Sequence, residues 1–300
     1  MVGNFHGLPT RSLENQHVRL EYLAEAGPRI VRLSLAGSDR NLLVELPNLT
    51  LPTPHGPYSL RGGHRLWHGP EGMPRSYAPD DAGLQVTERP NGVQLVQPTE
   101  QLTGIRKSIE IELVSDRPAV KLRHQVRNDG LWPVELAPWA ITMMPLGGLA
   151  ILPQQTRALD GPGLLPNRQL VVWPYTSWQD PRLRLADDFI LIQADPASPA
   201  CKIGYLNRQG WVAYIRDRVL FVKRFTPRPS EPHADFGCNT EVYCGDQFVE
   251  VETLGPLHRL EPGDSAEHEE TWEIYSGVNE LSTPEGVRSL ISRLGLLTSR

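Results

Sequence analysis

The chain is short of cysteine, of positive charge and of long apolar runs. Its 300 residues hold three cysteines, Cys201, Cys238 and Cys244, an odd number with no CxxC pair. That pattern argues against a disulfide framework and a cysteine zinc site, and implies ordinary buried or half-buried thiols. Lysine and arginine number 30 against 35 aspartate and glutamate, a net charge of −5. Non-specific nucleic-acid binding needs the opposite balance. No run approaches the roughly 18 apolar residues that span a bilayer, and the N-terminus has neither the basic nor the apolar stretch of a secretory leader. The expectation is a cytoplasmic protein with no membrane partner. A nucleotide fingerprint is missing too: Gly161-Pro162-Gly163 lacks a third glycine and a following helix.

Helical periodicity is also scarce. It is convincing only at the C-terminus, where Thr283 can cap, Pro284 fits the first turn, and Val287, Leu290, Ile291 and Leu294 repeat at helical spacing. Strand patterns dominate instead. Ile105–Val114 alternates strictly, with Ile105, Lys107, Ile109, Ile111 and Leu113 on one face and Arg106, Ser108, Glu110 and Glu112 on the other. Ala119–Asn128 does the same, after a turn at Asp116-Arg117-Pro118. Further strands are predicted at His17–Leu23, Arg29–Leu35, Asn41–Leu46, Val134–Met144, Gln169–Trp173, Phe189–Ala194, Cys201–Asn207, Trp211–Arg216, Val219–Phe225, Thr240–Cys244, Phe248–Leu254 and Ala266–Tyr275. A hairpin is predicted around Pro90-Asn91-Gly92. Glycine (26) and proline (28) are spread along the chain as turn punctuation. Many short strands with turn signals mean one all-β domain over residues 1–300, a sandwich of two large antiparallel sheets with a short C-terminal helix. Pro47–Asp81 and Thr226–Asn239 read as long loops bearing His and Trp or Asp, and long loops in compact domains are usually functional.

Two stretches carry the candidate chemistry. In Phe248–Leu254, Val249, Val251 and Thr253 fall on one face and Phe248, Glu250, Glu252 and Leu254 on the other. Two carboxylates among apolar neighbours are costly unless that face is wet or functional. The other stretch is Gly62-Gly63-His64-Arg65-Leu66-Trp67-His68-Gly69-Pro70-Glu71. Its glycines suggest a flexible approach to a binding surface. Arg65 offers a planar fork for hydroxyls or carboxylates, and Glu71 can pair with it or touch a ligand. His64 and His68 have no third ligand at metal spacing, so no metal is implied.

These motifs resemble the galactose mutarotase-like (aldose 1-epimerase) superfamily. They are most similar to a bacterial branch marked by Gly-Gly-His-Arg-Leu-Trp early and Glu-Thr-Leu-Gly-Pro-Leu late. Pro28-Arg29-Ile30 and Leu260-Glu261-Pro262-Gly263-Asp264 fit as well, and the resemblance spans about Asn15 to Tyr275. It implies a β-supersandwich that binds a small-molecule sugar in the concave groove of one sheet, without a cofactor. Family mutarotases use a Glu base and a His acid to open and reclose the sugar ring, one proton each way near neutral pH. The resemblance places the base at Glu252 and the early-loop contributors at His64, Arg65 and His68. The family's middle-strand histidine has no counterpart: Asn128-Asp129-Gly130 leads to Pro138-Trp139-Ala140-Ile141. The acid is then expected from His64, His68 or His233. Arg65, Glu71, Asp235, Asn239, Glu250, Trp67 and Trp139 are the expected sugar contacts. Trp178 is a further stacking candidate, and one of Lys223 and Arg224 is expected to face the groove. The rival expectations are a sugar-binding protein without catalysis and a lyase or hydrolase on the same scaffold.

Overall fold

A computed structural model describes residues 2–81, 83–197, 199–279 and 283–296. Two antiparallel sheets are packed face to face. The first has eleven strands. Its path runs Val2–Phe5, Leu8–Glu14, Val18–Leu23, Arg29–Leu35, His64–Gly69, Val134–Pro145, Phe248–Leu254, Thr240–Cys244, Cys201–Tyr205 and Val171–Val172, with His258–Leu260 paired beside Val134–Pro145. The second has ten, in the order Leu183–Leu185, Phe189–Gln193, Leu149–Pro153, Trp211–Arg216, Val219–Phe225, Ser265–Ser276, Ala119–Asn128, Ile105–Leu113, Gly92–Val96 and Gln85–Arg89. The two-sheet sandwich read from alternation is therefore the observed fold.

Alternation decides what each sheet buries. Val249, Val251, Val242, Ile203 and Leu66 of the first sheet meet Ile109, Ile111, Leu122, Phe221 and Trp272 of the second, forming the inter-sheet core. The outer face of the second sheet is sealed by the helix Pro284–Arg293, whose Val287, Leu290 and Ile291 pack with Leu149, Ile151, Trp211 and Val222. Thr283 caps it, its hydroxyl accepting from Gly286 N at 3.2 Å.

The segment read as one long loop from Pro47 is largely strand. Glu45–Thr53 and Gly56–Gly62 form a two-stranded hairpin, followed directly by His64–Gly69. The expected strand Asn41–Leu46 begins instead at Glu45. Pro47 and Pro52 are tolerated because this hairpin stands off the large sheets and pairs on one side only. It lies over the outer face of the first sheet, where Tyr58 and Leu60 pack with Trp67, Trp139, Ile141, Met143 and Leu254. Gly62 and Gly63 are not a flexible approach. Both sit at positive φ, and a Cβ would come within 2.1 Å of Val44 O at Gly62 and of Ile30 O at Gly63. They are glycine because two backbones meet there.

Candidate functional site

Register brings the distant motifs together. Ile141, on the central strand Val134–Pro145, is paired with Arg65 on one side and Glu252 on the other. Glu252 is in turn opposite Glu241 on Thr240–Cys244. One row of the outer face therefore reads Arg65, Ile141, Glu252, Glu241. Along the next row Trp67 faces Trp139, their rings 5.5 Å apart and edge-on. On the other side, Glu250 is opposite Tyr243, and Tyr243 is opposite Lys202.

The polar groups here are tightly held and buried. Trp139 Nε1 donates to Glu252 Oε2 at 2.8 Å. Lys202 Nζ donates to the same oxygen at 3.1 Å and forms an ion pair with Glu241 Oε2 at 2.8 Å. The Lys202 ammonium sits 4.8 Å from the Trp139 ring and 4.7 Å from that of Trp173. Arg65 Nη2 donates to Glu250 Oε1 at 2.9 Å, and its guanidinium lies 4.2 Å from the Trp67 ring centre. Tyr77 packs edge-on against Trp67 at 4.7 Å and donates its hydroxyl to Glu71.

Several polar atoms in this cluster find no protein partner among the described residues: Glu252 Oε1, Glu241 Oε1, and Nε and Nη1 of Arg65. Buried polar atoms left over on one face are what a polar ligand would satisfy. Burial raises the proton affinity of Glu241 well above the carboxylate range; Lys202 opposes this, and Glu252 and Asp235 reinforce it. Glu252 is raised too, by burial first, with Lys202 opposing and Glu250 adding. Burial alone would lower Lys202, but its carboxylate neighbours, Glu241 and Glu252 foremost, hold it well above the usual lysine range.

The expected residues divide sharply. Arg65, Trp67, Trp139, Glu250 and Glu252 share this face. Glu71 joins it through Tyr77, and half-buried Asp235 stands near enough to act on Glu241. His64 and His68 do not. His64–Gly69 is a strand, so His64, Leu66 and His68 point between the sheets while Arg65 and Trp67 point outward. His64 Nε2 meets His124 Nε2 at 2.8 Å, and its Nδ1 meets Thr142 Oγ1 at 2.9 Å. His233 lines a separate cavity of about 240 Å³ with Leu254 and His268. Asn239 is structural: its side chain accepts from Asn207 N at 2.7 Å and donates to Asn207 O at 3.0 Å. Lys223 and Arg224 both lie off this face. Lys223 lies between the sheets, 2.9 Å from Glu270 Oε1 and donating to the carbonyls of Ala140 and Val251. Arg224 pairs with Glu273 on the far side. Trp178 is 72% exposed, and among the described residues no contact ties it to the carboxylates. A trough of about 870 Å³ between Leu13 and Leu113 lies at a sheet edge, far along the first sheet from this cluster.

Glu241, Lys202, Tyr243 and Trp173 escaped the sequence reading. The signal for the first three was present. In Thr240–Cys244, Val242 and Cys244 are core, leaving Glu241 and Tyr243 opposite; in Cys201–Tyr205, Cys201, Ile203 and Tyr205 are inward, leaving Lys202 outward. A lone charge on the other face of a buried strand is the same clue that singled out Glu252.

A second polar cluster joins the sheets. His64, His124 and Glu270 offer ligand atoms within 4.8 Å of one another. They do not suit a cation: the Lys223 ammonium already neutralises Glu270, Trp272 Nε1 donates to its other oxygen at 2.8 Å, and the imidazoles bond to one another.

No known family model matches the sequence, and neither does any curated protein at a significant level. The fold does have close counterparts. A galactose mutarotase-like protein from Lactobacillus casei superposes with a TM-score of 0.58 at 9% identity, over 89% of this chain and 100% of its own. A putative mutarotase from Salmonella typhimurium gives 0.56 at 12%, over 92% and 93%. A TPR-domain containing protein from Parabacteroides distasonis gives 0.61 at 14%, over 92% of this chain but only 49% of that one. The chain thus spans about half the length of that last protein. At these identities the likeness is one of fold: the chain has the galactose mutarotase-like fold.

Proposed function

We propose that the outer face around Glu252 binds a sugar and interconverts its anomers, as an aldose 1-epimerase-like enzyme, with Glu252 as base and Glu241 in place of the expected histidine acid. The observation that carries this reading is the pair of buried carboxyl groups on facing strands that share one ammonium and each keep an oxygen free. The chemistry needs one group to take the proton of the anomeric hydroxyl and another to give one to the ring oxygen. Two carboxyls whose surroundings separate their proton affinities can divide those roles. Glu252 holds two donors on Oε2, Trp139 Nε1 and Lys202, which favour its carboxylate and leave Oε1 free; Glu241 has only the shared ammonium, so it takes the part of the protonated partner. Arg65 supplies hydrogen-bond donors suited to sugar hydroxyls, while buried Trp67 and Trp139 hold Arg65 and Glu252 in place.

A second reading is a sugar-binding protein without catalysis. It is favoured by one observation: among the described residues no imidazole hydrogen-bonds to Glu252. Polarimetry or exchange NMR with neutral, acidic and phosphorylated aldoses, alongside tryptophan fluorescence titration, separates the two. On the first reading an aldose shows accelerated anomer exchange, and Glu252→Gln and Glu241→Gln each lower the rate by about 10²–10⁴-fold. A sugar that quenches fluorescence saturably with no rate above buffer would replace catalysis by binding. Absence of both would remove the sugar reading.

A further inference from the structure

His68 has a place of its own. It is fully buried, yet neither ring nitrogen bonds to any protein group among the described residues. Its strand turns it away from Arg65, Trp67 and the carboxylate cluster, toward Ile105–Leu113 of the other sheet. There it lines a cavity of about 430 Å³ whose walls are Pro74, Leu102, Ile105, Val134 and Leu136, with Arg75 beside it. That volume suits a small organic ligand.

The polar groups of this cavity are unequal. Lys107, nearby, is already matched, 2.6 Å from Glu100 Oε1. Glu100 also accepts from Gln97 Nε2 at 2.9 Å and from Thr103. Arg75 donates to the carbonyl of Pro70, but among the described residues it has no carboxylate within ion-pair distance. Glu135 stands at the exposed rim and does not reach it. His68 is held neutral, by burial first and then by the positive charges of Lys107 and Arg75. A neutral imidazole keeps one N–H donor. The cavity thus offers an unpaired guanidinium, an unused imidazole donor and apolar walls, under a positive field.

We propose that this cavity binds a small carboxylic acid with an apolar body, its carboxylate against Arg75 and the His68 N–H and its body against Leu102, Ile105, Val134 and Leu136. Charge matches charge, the buried donor gains an acceptor, and the apolar remainder leaves water. A phosphate would satisfy Arg75 but leave the apolar walls uncovered. The site lies on the opposite face of the sheet from Glu252 and does not depend on the sugar reading.

Phenylacetate, with 2-phenylethanol as its uncharged counterpart, is the probe. Isothermal titration with the full chain should show saturable one-to-one binding of the acid and much weaker binding of the alcohol. Arg75→Gln, whose side chain is only partly buried, should weaken the acid by about ten- to hundredfold, the value of one charge-assisted hydrogen bond. In NMR, the His68 imidazole resonances should move on titration with the acid, and those of His64 should not. His68→Gln is a second variant, checked for folding by circular dichroism. Equal binding of acid and alcohol overturns the proposal. So does binding unchanged by Arg75→Gln, or a His68 signal that stays fixed at saturation.

Discussion

Acid should destabilise this protein through His124. The ring is fully buried, its Nδ1–H donating to His268 O at 3.0 Å and its Nε2 accepting from His64 at 2.8 Å. Neither nitrogen has room for a further proton. Burial is the main reason that His124 titrates only near 4; Glu270 and the bond to His268 O oppose it, and the charges of His268 and Lys223 add to it. In the unfolded chain the same residue titrates near 6.5. A depressed pKa means that the unfolded state binds the proton first, so stability is complete above about 6.5 and is lost as pH falls toward 4. Each pH unit in that window is worth about 1.4 kcal/mol, or about 2 kcal/mol by about pH 5 and about 3 kcal/mol in full. Glu241 and Glu252 pull the other way: raised in the folded state, they favour it on acidification. The comparison is therefore with His124→Gln, which keeps a donor and an acceptor but cannot titrate. Urea unfolding of both proteins across this range should give a stability difference that is flat above about 6.5 and then shifts against the wild type by about 1.4 kcal/mol per unit. A difference independent of pH refutes the reasoning.

Two further outcomes follow from buried geometry. Lys223→Met strands the Glu270 carboxylate between the sheets and should cost about 3–5 kcal/mol in urea unfolding, while Lys223→Met with Glu270→Gln should recover much of the loss. If the double variant is no better than the single, the pair is not the source of the cost. Gly63→Ala drives a Cβ to 2.1 Å from Ile30 O at a φ of 71°, so its melting temperature should fall well below that of Gly7→Ala. Position 7 has a φ of 96° but nothing within 4 Å, leaving only the backbone cost of about 1–2 kcal/mol. Equal losses would show that the close approach is not limiting.

Local pattern was enough for many strands of both large sheets because side chains in a strand alternate whatever the strand pairs with, but Val2–Phe5, Leu8–Glu14, His64–Gly69 and Leu149–Pro153 went unread. Ile105–Leu113, Ala119–Asn128 and Phe248–Leu254 were each legible alone, and so was the placing of Glu250 with Glu252 on the face away from the core. The misreading began at Gly62-Gly63. Two glycines before His-Arg-Leu-Trp look like a mobile loop, and a loop imposes no alternation, so His64 and His68 were free to join Glu252. Once His64–Gly69 is a central strand, alternate residues must part: Arg65 goes to the carboxylates and both histidines go inside. Glycine is required there by the close carbonyls of Val44 and Ile30, which are remote in sequence or hidden by the fold.

The two-sheet architecture, the capped terminal helix and the polar face of the Glu252 strand could be read from the chain alone, because period, caps and turns are local properties. Which charges meet depends on the fold. Lys202 lies 50 positions from Glu252, and neither its contact with Glu241 nor the isolation of His68 in an apolar cavity has a local signature. Strand order and register set those distances, and burial then sets the proton affinities. The same chain with its strands paired differently would keep every alternation and lose the site.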